Sequence, residues 1–289
     1  MNDRFFRSRM SFFTILFSFV LGISAVAGDR IKPGTIAVTA LRCDNAIDPL
    51  GIDSRTPQFS WQIKSTFRNM QQAAYQVLVS DVLEKLNRGE GNIWNSGKTV
   101  SSQSAGILYQ GVALESRKKY YWKVLVWSQN NPSPSVSETA TFEMGLMDQA
   151  DWSGDWVGFP SGWIGKVHYF RRVFSFHKEI SKARAYVAGI GYNEMEINGK
   201  KVGDHVLDPA TSDFSKTVYY TTYDIKNFLQ KDNVMVIAVA PGWYGMPKLR
   251  MQMEFFFTDG TMEVINSGSV RNVTLGPVVS AGIFDGEVY

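Results

Sequence analysis

Apolar and polar residues alternate along most of this chain with a period of two. From Tyr120 onward, Tyr120, Trp122, Val124 and Val126 fall on one face, and Tyr121, Lys123, Leu125 and Trp127 on the other. Residues two apart share a face only when the backbone is extended, so this segment predicts a strand with one side in a core. Between residues 35 and 145 the pattern predicts seven short strands, at 36–42, 58–63, 74–80, 93–95, 106–109, 119–128 and 140–144. Seven such strands suggest a two-sheet sandwich. The alternation stops near Gly145, and Trp152, Trp156 and Trp163 then lie among glycines, so residues 146–166 read as a connector.

A second region, 167–265, has longer runs. One predicted strand, 186–197, runs into Asn198-Gly199, a turn pair that accepts the positive φ a tight hairpin needs, and 200–202 returns. Asp224 is placed to cap a short helix at 225–229. A strand at 234–239 leads into the aromatic loop Pro241-Gly242-Trp243-Tyr244-Gly245, and strands at 250–257 and 262–265 flank Asp259-Gly260. These are the elements of a jelly-roll sandwich, a common scaffold of carbohydrate-binding modules. In the first region, Leu114 six residues before Tyr120 resembles the tyrosine corner of fibronectin type III domains. The expected fold class is therefore all-β: a fibronectin type III or immunoglobulin-like sandwich followed by a jelly-roll sandwich.

Composition adds a compartment. Arg4, Arg7 and Arg9 precede an apolar run that ends in Ala25-Val26-Ala27, the pattern of a secretory signal peptide over residues 1–27. The expected location is secreted or periplasmic, with no membrane attachment after cleavage. Removing those residues takes the chain from 30 basic and 27 acidic groups to 27 and 26, a net charge of +1, which leaves no footprint for nucleic acid. The single cysteine, Cys43, has no internal partner for a disulfide, so burial must hold an exported chain together.

Several runs resemble the bacterial α-L-rhamnosidases of glycoside hydrolase family seventy-eight. In the first region they are Leu41-Arg42-Cys43 with Asn45, Pro49-Leu50-Gly51-Ile52-Asp53, Phe59-Ser60-Trp61 and Phe142-Glu143-Met144-Gly145-Leu146. In the second they include Gly189-Ile190-Gly191-Tyr192, the run from Ile197 to Asp204, Leu207-Asp208-Pro209, Tyr220 to Asp224, and Gly242-Trp243-Tyr244. Gly276-Pro277 and the run Asp285 to Tyr289 resemble the opening of a further β-domain, placed at 266–289. The resemblance implies export to degrade rhamnose-containing glycans, with terminal L-rhamnose removed by inverting hydrolysis. It also implies that the catalytic carboxylates lie on an (α/α)₆ barrel that follows these β-domains and is missing here. The chain alone is accordingly expected to be inactive, an accessory portion of such an enzyme. The alternatives are a free-standing carbohydrate-binding protein and a remnant without function. Where relatives carry a Gly-Trp-Thr-Asp-Tyr run, this chain has Ala210-Thr211-Ser212-Asp213-Phe214, which weakens that loop as a sugar platform.

Of the candidate site residues, Trp243 and Tyr244 offer rings on a glycine-rich loop that would lie flat against a sugar, and Tyr192 is a weaker third. Asp204, Asp208 and Asp213 could gather as oxygen ligands for calcium, although turn chemistry accounts for the same residues. Glu194 and Glu196 share a strand face, as a solvated pair. His168, His177 and His205 have no metal-ligand spacing, and no cofactor is expected. The unbroken run Phe255-Phe256-Phe257 must turn at least one ring away from its own core if the strand is regular.

Overall fold

The computed structural model describes residues 36–129, 131–159, 165–242, 246–270, 272–282 and 286–289, so the expected signal peptide lies outside the described residues. The first region comprises β1 (Ile36–Cys43), β2 (Leu50–Ile52), β3 (Gln58–Ser65), β4 (Gln72–Ser80), the one-turn helix α1 (Leu83–Asn87), β5 (Trp94–Asn95), β6 (Ile107–Leu108), β7 (Lys119–Ser128), β8 (Asn131–Val136) and β9 (Ala140–Met144). One sheet runs β1-β3-β6, and the facing sheet runs β2-β9-β7-β4-β5 with β8 also on β7. The alternation in β7 decides the packing. Tyr120, Trp122, Val124 and Val126 are all buried, and the last three sit opposite Val79, Val77 and Tyr75 of β4. Across the sandwich the Phe59 ring lies 4.6 Å from Trp122. The tyrosine corner is present: the Glu115 backbone N–H donates to the Tyr120 hydroxyl at 2.9 Å. The opposite face of β7 is half-buried, with the Lys98 ammonium 4.6 Å above the Trp127 ring and Lys119 5.4 Å above Tyr121.

The second region holds β10 (Val157–Gly158), β11 (His168–Ser175), β12 (Ile180–Ile190), β13 (Tyr192–Ile197), β14 (Lys200–Lys201), β15 (Thr221–Asp224), β16 (Asp232–Ala240), β17 (Lys248–Phe257), β18 (Met262–Asn266), β19 (Asn272–Leu275), β20 (Ser280–Gly282) and β21 (Gly286–Val288). Two sheets, β10-β17-β12-β15 with β18 on β17, and β14-β13-β16-β11-β19, enclose a core that includes Phe170, Ile237, Met253 and Phe255.

The strand expected at 186–197 is two strands in different sheets. Gly191 has φ +106° at the crossing, and a β-carbon there would lie 1.9 Å from the Ala240 carbonyl oxygen, so only glycine fits. Asn198 and Gly199 both have positive φ, the type I′ geometry the turn pair predicts. The helix expected at 225–229 is a single 3₁₀ turn, Lys226–Phe228, with the Asp224 carboxylate accepting from the Lys226 N–H at 3.1 Å. The expected start of a further domain at 266 falls inside this sandwich, because β19 pairs with β11 through Tyr169 and Thr274. Within the segment 146–166, β10 pairs with β17, and the turn at Gln149–Asp151 is closed by a capping box from Asp148.

Candidate functional site

The sheet β10-β17-β12-β15 turns its apolar face to the core and a polar face to the first sandwich. Strict alternation along β12 puts Lys182, Arg184 and Tyr186 on that outer face. They sit opposite Phe256, Glu254 and Gln252 of β17. A polar face is stable in such a place only when each charge finds a partner. Arg184 donates to both oxygens of Glu143, at 2.8 and 3.0 Å, and its third nitrogen pairs with Asp224 at 2.9 Å. Lys182 reaches the same Glu143 at 2.9 Å, and its ammonium lies 5.2 Å over the Phe256 ring. That contact covers the outward ring of the phenylalanine run, leaving Phe256 half-buried. Arg117, from the first sandwich, bridges Glu254 at 2.7 Å and Asp151 at 2.8 Å. Burial, and then the nearby Glu254 and Glu143 charges, push the Tyr186 hydroxyl far above the ordinary tyrosine range.

Asp151 is the titratable latch of this seam. Burial pushes its carboxyl up, but hydrogen bonds from the Ser116 hydroxyl and the Asp148 N–H, and then the Arg117 pair, outweigh it and hold it below the usual carboxylate range. A carboxylate depressed in the folded state adds stability above its unfolded pKa, about 3.9, and loses it as pH falls through the lower folded value. Replacing Asp151 with Asn is therefore expected to destabilise the chain at neutral pH. It should also flatten the loss of stability below about pH 4, read as urea midpoints across pH.

At the mouth of the seam lies a cleft of about 840 Å³. Three segments build it: the turn at Gly51 and Asp53, the segment from Leu146 to Trp156, and the loop from Asp208 to Thr221, with Arg250 at the back. The Tyr220 hydroxyl accepts from the Leu146 N–H at 2.8 Å, tying the loop to the first sandwich. Arg250 lies 4.9 Å over the Trp152 ring and donates to the Gly154 carbonyl at 2.7 Å, which fixes that wall.

Trp243 and Tyr244 lie outside the described residues. Tyr192 is pinned by a 2.9 Å hydrogen bond to Thr211 and lines a separate pocket of about 460 Å³ that also holds Glu194, Glu196 and Tyr169. Asp208 accepts from Thr221 at 2.8 Å and Tyr223 at 2.5 Å. Asp213 closes its own turn on Ser215 and Lys216, and Asp204 stands exposed. Among the described residues no group of three or more acidic, histidine or cysteine side chains is placed to hold a metal ion. Serine, threonine and tyrosine donors occupy the Asp208 and Asp213 carboxylates. Sequence reasoning passed over Asp53, Trp152, Trp156, Tyr219 and Arg250. The one signal for them was the tryptophans among glycines in the segment read as a connector.

Comparison with known proteins follows the same division into two units. Residues 38–148 match the family model for a Rha78A-like, N-terminal immunoglobulin domain, and residues 178–289 match the model for the alpha-L-rhamnosidase N-terminal domain. An alpha-L-rhamnosidase of Formosa agariphila is 33% identical over 84% of this chain, and one of Alteromonas sp. is 31% identical over 84%. The chain spans 30% and 29% of those relatives' lengths. The solved alpha-L-rhamnosidase of Dictyoglumus thermophilum superposes with a TM-score of 0.81 at 35% identity, covering 88% of this chain and 31% of that one.

Proposed function

We propose that this chain, whose two sandwiches match the Rha78A-like N-terminal immunoglobulin domain and the alpha-L-rhamnosidase N-terminal domain, is the accessory front portion of a secreted α-L-rhamnosidase. In this reading the whole enzyme removes terminal L-rhamnose from glycans, and the two sandwiches hold and present saccharide without hydrolysing it. The observation that carries it is the consecutive match of two rhamnosidase N-terminal domain models to these two sandwiches. Inverting hydrolysis needs an acid and a base roughly 6.5–9.5 Å apart across a sugar ring. The buried Glu143 and Glu254 are each held by arginine, and Glu194 by Lys201, which supports a structural role for all three. Export rests on the N-terminal sequence pattern.

The purified chain incubated with 4-nitrophenyl α-L-rhamnopyranoside is expected to release no nitrophenol above the buffer rate. Turnover that survives repurification would overturn the accessory reading. A free-standing saccharide-binding protein is the second reading, favoured by the aromatic-walled cleft at the seam.

A further inference from the structure

We propose that the cleft between the two sandwiches is a binding site for a neutral saccharide, with Trp156 and Tyr219 as its stacking walls and Asp53 as its hydroxyl acceptor. Its volume, about 840 Å³, lies within the range of small-ligand sites, about 300–1,000 Å³. A pyranose presents an apolar face of C–H groups and an edge of hydroxyls, so it needs a partly exposed ring beside a fixed polar group. Trp156 is half-buried and Tyr219 is half-exposed. Both line the cleft, and neither enters an aromatic pair among the described residues. By contrast Trp152 is occupied by Arg250, and serves as the fixed wall against which the site is built.

The charges select the ligand class. Asp148 is paired with Arg55 at 2.8 Å, Lys216 with Asp213 at 3.1 Å, and Arg250 is held by the Gly154 carbonyl and Gln149. Asp53 has no hydrogen bond or ion pair among the described residues and stands exposed on the wall. The charges at the cleft without an opposite partner are thus the Asp53 and Asp208 carboxylates and the Arg250 guanidinium, a net negative balance in which the exposed Asp53 accepts a sugar hydroxyl and a neutral glycoside is favoured over a uronate. The cleft is also fixed in shape, since the Tyr220–Leu146 bond and the Arg117 bridges tie its two sides together. A pre-formed site binds without the cost of ordering it first.

The choice of a rhamnoside as first probe rests on the function proposed above, whereas the site does not. The test titrates the whole chain with methyl α-L-rhamnopyranoside, methyl α-D-glucopyranoside and sodium galacturonate, followed by tryptophan fluorescence and calorimetry. At least one neutral glycoside should bind saturably at millimolar concentration, and galacturonate at least tenfold more weakly. Trp156→Ala should weaken the neutral ligand at least tenfold. Asp53→Asn, an exposed and conservative change, should weaken it and narrow the gap to galacturonate. Tyr289→Phe, in the other pocket and bonded only to Glu287 there, should change nothing. Binding of the glucoside in place of the rhamnoside would keep the site and count against the rhamnosidase reading of its ligand. No saturable binding of either neutral glycoside, equal binding of galacturonate, or unchanged binding in both cleft variants would overturn the site, with the accessory reading still decided by the hydrolysis assay.

Discussion

Arg184→Ala is expected to cost the folded chain about 3–5 kcal/mol, the largest effect of any single change at the seam. Arg184 satisfies both oxygens of Glu143, whose side chain is 2% exposed, and one oxygen of Asp224. Removing the guanidinium leaves the Glu143 charge buried beside a single ammonium, that of Lys182. The loss is therefore mostly the penalty of an uncompensated buried carboxylate rather than the net worth of the pair. Two further variants separate these terms. Arg184→Lys keeps the charge but not the two-pronged geometry and should lose less. The double variant Glu143→Leu with Arg184→Met removes both charges and should recover much of the stability. Urea unfolding of all three decides the matter. An Arg184→Ala midpoint at the wild-type value would mean that the seam adds nothing to the fold.

Gly191→Ala is expected to be comparably damaging for a different reason. The chain crosses there from one sheet of the second sandwich to the other at φ +106°, with the Ala240 carbonyl where a β-carbon would stand. Backbone strain alone costs about 1–2 kcal/mol, and the clash adds the displacement of β16. Gly89→Ala is the natural control. Gly89 also has a positive φ, +82°, but nothing lies within 4 Å of the added carbon, so only the backbone penalty applies. The Gly191 variant should lose at least twice as much stability as the Gly89 variant by urea unfolding. Equal losses would remove the steric argument for the crossing.

Local pattern determined much of this fold in advance. The strands Lys119–Ser128 and Ala140–Met144 begin and end where alternation places them, since one face of each meets a core and the other does not. The hairpin at Asn198-Gly199 was equally legible, because few residue pairs tolerate two positive φ values in succession. Reading 186–197 as a single strand failed because an apolar run is the same whether it stays in one sheet or crosses to another. Only the packing of Gly191 against β16 separates the two. The strand His168–Ser175 escaped notice because Arg171 and Arg172 interrupt its alternation at a sheet position.

The candidate site was far less legible. Glu143 and Arg184 are 41 residues apart, and Arg117 and Glu254 are 137 apart, so no spacing rule joins them. The cleft draws single residues from three distant segments, and Asp53 and Tyr219 are unremarkable within their own. The extra ring of the phenylalanine run is covered by Lys182, which a count of apolar positions does not reveal. Asp204, Asp208 and Asp213 are close in sequence, yet hydroxyl and ammonium partners claim two of them separately. Proximity along a loop says little about where carboxylates point.

The functional account depends on the two sandwiches behaving as one body, because only then is the cleft a fixed site rather than a gap. Differential scanning calorimetry of the whole chain tests this most directly. The account predicts one unfolding transition in which the calorimetric and van't Hoff enthalpies agree, and its separation into two transitions in Arg184→Ala. Two well-resolved transitions in the unaltered chain would contradict it, since the sandwiches would then unfold independently and the polar seam would not be what holds them together.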